Sequence, residues 1–281
     1  MSWPLALSCQ AVVLSVFVYH AENMVLCVAL GILVLVVAAV LFVVSLLGYF
    51  QPRWFMAVLK RLAPSVLWNF QTEARVAALT IDDAPMEQID EILDVLRDHQ
   101  VHATFFVIGS YAATEQGHTA VARMLAEGHE IGNHSWSNFP SVILSVLTAA
   151  LFELDLTRTH ALLTDLLDAC QPTASGQTNM HWFRPSHGFF APGMLTCLAS
   201  FGYRCVLGDV YPFDPELRCV GLNTWRVKYG VHPGAIIILH DRPHTPATLR
   251  KLLPDLVGQG YTLGTLTQIE RLCAQVPPAV Q

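Results

Sequence analysis

Acidic, histidine and arginine side chains follow apolar segments at several points of the chain. Asp82 and Asp83 follow the run AALTI, and His240 and Asp241 follow the run AIIIL. Two neighbouring carboxylates in a partly buried site raise one another's pKa unless a cation relieves the repulsion. If one aspartate and a histidine hold a divalent metal ion, the other aspartate is free to take a proton from metal-bound water. A histidine such as His240 can then protonate a leaving amine, so these residues predict metal-assisted hydrolysis of an amide or ester.

The segments that must position these residues alternate between strand-like and helix-like patterns. Short apolar runs such as 76–81, 103–109 and 234–241 are typical of buried strands, and the segment 87–99 has apolar residues at helical spacing. Strands separated by helices indicate βαβ units and a largely parallel sheet, and about seven of them predict a barrel. In such barrels the working residues lie at the carboxyl ends of the strands. Unusual polar residues occur at five such ends: Asp82 with Asp83, His134, Arg184, Asp209, and His240 with Asp241.

The N-terminal region is far more apolar than the rest. Residues 24–50 contain Ser45 as the only clearly polar side chain, and about 20 apolar residues suffice to cross a bilayer core. We therefore expect a hydrophobic region at 1–50 with a transmembrane helix at 24–50. The segment 3–19 is also apolar, and it is either a second, marginal span or an extension of the same anchor. A linker at 51–75, a catalytic domain at 76–270 and a tail at 271–281 complete the predicted organisation.

Charge and cysteine usage exclude several partners. The chain has a formal net charge of −6 and no basic run, which disfavours nucleic acid as a ligand. The seven cysteines form no CxxC pair and indicate neither a disulfide framework nor a zinc knuckle. The membrane and a substrate remain as the expected partners.

Four motifs occur in order at the predicted strand ends: TIDDAP at 80–85, HSWSN at 134–138, RPSHGF at 184–189 and LHD at 239–241. Together they resemble the polysaccharide deacetylase family, the NodB-homology domain that includes chitin deacetylases. The resemblance implies a distorted (β/α) barrel that removes N-acetyl groups from N-acetylglucosamine polymers, or O-acetyl groups from other glycans. It also implies a divalent metal, usually zinc, with cobalt or manganese as alternatives.

The resemblance also implies a role for each matching position. Asp82 is the expected general base, His240 the general acid and Arg184 the residue that positions the base. Asp83 and His134 are the expected metal ligands. Leu239 is expected to line the acetyl pocket and His187 to lie where the family usually has an aromatic residue. The acid that orients a catalytic partner is either Asp209 or Asp214, with Asp209 also a candidate for substrate binding.

Asn138 is the main departure, because the family's second histidine ligand falls on this position. An amide oxygen is a poorer zinc ligand than imidazole. Three alternatives follow: the metal is held more weakly, another histidine such as His187 completes the site, or the protein binds glycan without catalysis. A hydrolase acting on a small non-peptide C–N bond is a further alternative function.

The orientation of the domain has two conflicting indications. Arg53, Lys60 and Arg61 follow the span closely, and the positive-inside rule places such residues in the cytoplasm. The family resemblance favours an extracytoplasmic domain, since the glycans of cell walls and surfaces lie outside.

Overall fold

The structure is a computed structural model in which residues 3–170 and 180–275 are described, with side chains from residue 26 onward and at Met24. The chain divides after Pro52 into two units. The first contains a single helix, α1 (Trp3–Phe50), which spans 48 residues. Among the described residues, Leu26–Phe50 is the one stretch long and apolar enough to cross a membrane. The segment 3–19 continues the same helix, which agrees with the extension rather than with a separate second span.

Seven strands, ten α-helices and one short 3-10 helix (Ser186–Gly188) form the described part of the second unit. The strands are β1 (Val76–Ala84), β2 (Thr104–Val107), β3 (Glu130–Asn133), β4 (Trp182–Phe183), β5 (Arg204–Cys205), β6 (Ala235–His240) and β7 (Thr262–Gly264). The helices are α2 (Arg53–Leu62), α3 (Ile89–Asp98), α4 (Gly109–Ala112), α5 (Glu115–Ala126), α6 (Ser141–Leu147), α7 (Ala149–Cys170), α8 (Pro192–Ser200), α9 (Val220–Gly230), α10 (Thr245–Gly258) and α11 (Leu266–Gln275).

All seven strands run parallel, which confirms the predicted α/β fold with about seven strands. The order is β5-β4-β3-β2-β1-β6, and β7 pairs with the start of β1. The sheet also curls towards closure, because Val210, which follows β5 along the chain, forms a bridge with Ile237 of β6. All carboxyl ends of the strands therefore meet at one end of the barrel.

The two faces of β1 and β6 have different neighbours. Leu79, Ile81 and Leu239 belong to the large apolar cluster that includes residues of the surrounding helices. Ala78 and Ile236 belong to a smaller cluster inside the barrel. Successive side chains of a strand point to opposite faces, so every second residue faces the barrel interior.

The predicted linker at 51–75 is largely part of the folded domain. Helix α2 buries Met56 and packs Phe55 and Leu59 against the main apolar cluster. Leu67 and Phe70 lie in the cluster inside the barrel. The apolar residues of α2 form one face of that helix, and Leu67 and Phe70 point into the barrel. The second unit of the chain therefore begins at Arg53.

Candidate active site

The first feature of the site is a buried ion pair between Asp82 and Arg184. Asp82 lies near the end of β1 and Arg184 directly follows β4; both are almost fully buried. Nη1 of Arg184 donates to Oδ1 of Asp82 at 2.6 Å and to the hydroxyl of Thr80 at 2.7 Å. Two further bonds to backbone carbonyls, at Val206 and Leu207, fix the guanidinium. Arg184 thus holds one carboxylate oxygen of Asp82 in a defined position.

The second feature is a hydrogen-bonded pair between His240 and Asp214. Nδ1 of His240 donates to Oδ1 of Asp214 at 3.0 Å, and the backbone N–H of His240 donates to Oδ2 at 2.8 Å. Because a carboxylate accepts both bonds, the proton on Nδ1 is fixed and Nε2 is left for the site. Burial lowers the pKa of His240, but the charge and hydrogen bond of Asp214 and the charges of Asp82 and Asp83 outweigh it and raise the pKa above its ordinary value.

Asp82 and His240 occupy opposite positions on neighbouring strands. The register of β1 with β6 pairs Asp82 with His240 directly. Both residues lie at the carboxyl end of the barrel, where the backbone N–H of Asp241 also donates to the carbonyl of Asp82 at 3.0 Å. The expected base and the expected acid, each with its own buried partner, are therefore brought together by one strand pairing.

The third feature is the surroundings of Asp83, whose two oxygens face different partners. Oδ1 lies 3.4 Å from Nε2 of His134, and Oδ2 accepts a bond of 2.5 Å from Nη2 of Arg242. Nδ1 of His134 donates to the carbonyl of Arg184 at 2.7 Å, which directs Nε2 towards Asp83. Burial opposes ionisation, yet the hydrogen bond and charge of His134 and the charges of His240 and Arg242 hold the pKa of Asp83 well below its usual range.

Three residues of the motifs adopt the left-handed backbone conformation. Asp83 has a φ of 61°, Ser135 a φ of 70° and His187 a φ of 66°. Such conformations cost of order 1 to 3 kcal/mol each in residues other than glycine and concentrate at functional sites. Asp83 is the second-last residue of β1, and Ser135 and His187 follow the carboxyl ends of β3 and β4, so the strain turns the chain where the site residues lie.

Asn138 and His187 do not join this cluster as ligands. Asn138 is exposed in a loop and His187 is exposed in a short 3-10 helix (Ser186–Gly188), whereas Asp83 and His134 are buried. Within residues 3–170 and 180–275, no group of three histidine, cysteine or acidic side chains is placed to hold a metal ion. Among the described residues, His187 is therefore not placed with Asp83 and His134 as a third ligand.

Asp209 was expected at the same end of the barrel, and the structure corrects this. Its carboxylate accepts from the N–H of Ile236, at the start of β6, and from Lys60 and His232. From Val210 the chain runs alongside β6 towards the carboxyl end of that strand, so that Asp214 lies beside His240. Of the two acids that the sequence left open, Asp214 therefore contacts His240, and Asp209 lies at the far end of the barrel.

Leu239 also requires a correction. It packs in the large cluster between sheet and helices, together with Leu79 and Ile81, and is fully buried there. Ile238, two residues before His240, lies on the same side of the strand as the acid, because side chains alternate. Ile238 is therefore better placed than Leu239 to line a pocket beside His240.

Arg242 was not singled out from the sequence, although it directly follows the LHD motif. Its contact with Asp83 bears on the expected metal. Asp83 and His134 supply a carboxylate and an imidazole, but the third expected ligand is an exposed amide, and a guanidinium already binds one oxygen of Asp83. The residues present do not fit the expected three-ligand zinc site.

Comparison with known proteins gives the site a family context. The polysaccharide deacetylase family model matches residues 70–206. A chitooligosaccharide deacetylase of Sinorhizobium fredii is 32% identical over 212 residues, covering 70% of this chain and 93% of that protein. An uncharacterized 30.6 kDa protein of Geobacillus stearothermophilus is 34% identical over 185 residues, covering 64% of each chain. The chain thus spans less than two thirds of the length of the latter relative.

Two solved structures have a similar fold. One is a mutant of a CE4 family pseudoenzyme from Bacillus anthracis with restored enzymatic activity, at 25% identity and a TM-score of 0.64, covering 73% of this chain and 71% of that one. The other is a family 4 acetyl xylan esterase from Clostridium thermocellum in complex with a cobalt ion, at 29% identity and a TM-score of 0.62, covering 72% and 93%. With the ordered motifs at the strand ends, these similarities show that the chain belongs to the polysaccharide deacetylase family.

Proposed function

We propose that the protein is a membrane-anchored carbohydrate deacetylase that hydrolyses N-acetyl groups on N-acetylglucosamine-containing glycan. The observation that carries this function is the pairing of Asp82 with His240, each held by its own buried partner. The similarity to a chitooligosaccharide deacetylase supports the substrate class.

The reaction proposed for these residues is hydrolysis of the C–N bond of an N-acetyl group. Asp82 accepts a proton from water, and the resulting hydroxide attacks the acetyl carbonyl carbon. The C–N bond then breaks, and Nε2 of His240 gives its proton to the departing amine. The products are acetate and a free amino sugar. Each positioned group of this kind contributes about 10² to 10⁴ in rate.

The test is acetate release from N-acetylglucosamine oligomers by the full-length chain in detergent micelles. Asp82→Asn should reduce kcat by about 10² to 10⁴ because the base is removed. Asp98→Asn is the matched control, since that side chain is 68% exposed and lies outside the site, and it should leave the rate unchanged. Equal rates for the two variants would contradict the assignment of the base. Rapid hydrolysis of small acetamides, with none of the oligomers, would favour the small C–N hydrolase instead.

A second candidate is a relative that binds glycan without hydrolysing it. The exposed Asn138 in place of a histidine ligand favours it, and one solved neighbour is itself a mutant of a pseudoenzyme. This candidate predicts oligomer binding by calorimetry with no acetate release from the natural sequence. Acetate release by the natural sequence would exclude it.

We propose that the protein is anchored in a membrane through α1, with its second unit outside the cytoplasm. The basic flank argues the other way, but Lys60 is bound to Asp209 at 3.2 Å and contributes less free charge than its position suggests. Protease protection on intact cells or vesicles tests this orientation. Complete resistance of the domain to protease added from outside would contradict it.

A further inference from the structure

The carboxylate of Asp83 is already neutralised by a side chain of the protein itself. Nη2 of Arg242 donates to Oδ2 of Asp83 at 2.5 Å, and the Asp83 side chain is only 6% exposed. The remaining oxygen faces Nε2 of His134 at 3.4 Å. A buried carboxylate needs a paired charge, and here a guanidinium supplies it.

Arg242 is fixed from a second direction. Its Nη1 donates to the carbonyl of Asp241 at 2.8 Å and lies 3.0 Å from Sδ of Met86. The carboxylate of Asp241 in turn accepts the backbone N–H of Met86 at 2.6 Å, which joins this loop to the one that follows β1. The guanidinium is thus held beside Asp83 by the carbonyl of Asp241 and by contact with the side chain of Met86.

A metal ion bound between Asp83 and His134 would lie beside this guanidinium. Like charges at such distances repel, and the repulsion is weakly screened in a site that is mostly buried. The ion would also find Oδ2 of Asp83 engaged and the position of the third ligand taken by exposed Asn138. Both features act in the same direction and lower the affinity for a divalent cation.

We propose that Arg242 takes the electrostatic place of the divalent cation at Asp83, so that the site stays neutralised without metal and binds zinc weakly. The inference deepens the proposed function and rests on it only for the location of the site. Removal of the guanidinium then frees Oδ2 of Asp83 and removes the repulsion, which raises the affinity of Asp83 and His134 for zinc.

The test is calorimetric titration of zinc chloride into the full-length chain in detergent micelles, without substrate. Arg242→Gln should bind zinc about tenfold or more tightly than the natural sequence, which corresponds to about 1.4 kcal/mol. Arg242→Lys keeps the charge and should behave like the natural sequence. Arg250→Gln removes an exposed arginine that pairs with Glu91 on the surface, and it should also leave zinc affinity unchanged.

A double variant, Arg242→Gln with Asp83→Asn, assigns the binding to this site, because the gain should disappear. Cobalt absorption in the visible region gives an independent readout of the ligands. Tight one-to-one zinc binding by the natural sequence that is lost in Asp83→Asn would overturn the proposal, even if Arg242→Gln failed to fold. Acetate release is measured separately, so absence of activity with the expected zinc pattern would overturn the proposed function and leave this inference standing.

Discussion

The two halves of the candidate site are supported to different degrees. In the acid–base half, Asp82 and His240 each have a buried partner, Arg184 and Asp214, with bonds of 2.6 and 3.0 Å. In the cation half, Asp83 and His134 face one another, the third ligand position is exposed, and Arg242 supplies the positive charge. The contrast is between a half in which each charged side chain has a buried partner and a half in which the third expected metal ligand is an exposed amide.

The largest expected effect comes from Arg184, which supports the acid–base half from within the barrel. Arg184→Met leaves the buried carboxylate of Asp82 without its partner, and such losses cost about 3 to 5 kcal/mol of unfolding free energy. Denaturant unfolding of the full-length chain in micelles measures this cost. Arg204→Met is the control, because its ion pair with Glu270 is about half exposed, and it should change stability by less than about 1 kcal/mol. A similarly small change in unfolding free energy for both variants would mean that the buried pair of Arg184 and Asp82 does not stabilise the site.

Asp214 tests the other partner of the acid–base half. Asp214→Asn should lower kcat by about tenfold to 100-fold. It also removes a charge that raises the pKa of His240, so the pKa should fall. The acid must be protonated, and the alkaline limb of the rate profile should therefore move to lower pH. A profile of kcat against pH for both proteins measures this. An unmoved alkaline limb would show that His240 is not the acid that this limb reports.

The smallest expected effect concerns the cation half. Asn138→His places an imidazole at the third ligand position, and we expect zinc affinity to rise by about tenfold. Because Asn138 is exposed, stability should stay within about 0.5 kcal/mol of the natural sequence. Zinc calorimetry and denaturant unfolding measure the two quantities. If this variant alone releases acetate, the cation half is the one that limits catalysis, and the glycan-binding candidate is favoured for the natural protein.

Much of the site was predictable because local sequence determines strand ends. The apolar runs before Asp82 and His240 predict buried parallel strands, and parallel strands place their carboxyl ends together. The linker was predicted wrongly because the apolar residues of α2, such as Met56, have no visible partner until the barrel surface is formed.

The sequence alone determined the order of the motifs, the alternation of strands and helices, and the long apolar N-terminal segment. These depend on residue type and spacing, which the chain carries by itself. Only the tertiary structure decided that Asp214 rather than Asp209 orients His240, that Leu239 faces the helices, and that Arg242 binds Asp83. The strand register and the path of the chain between β5 and β6 fix these contacts, and they join residues up to 159 positions apart.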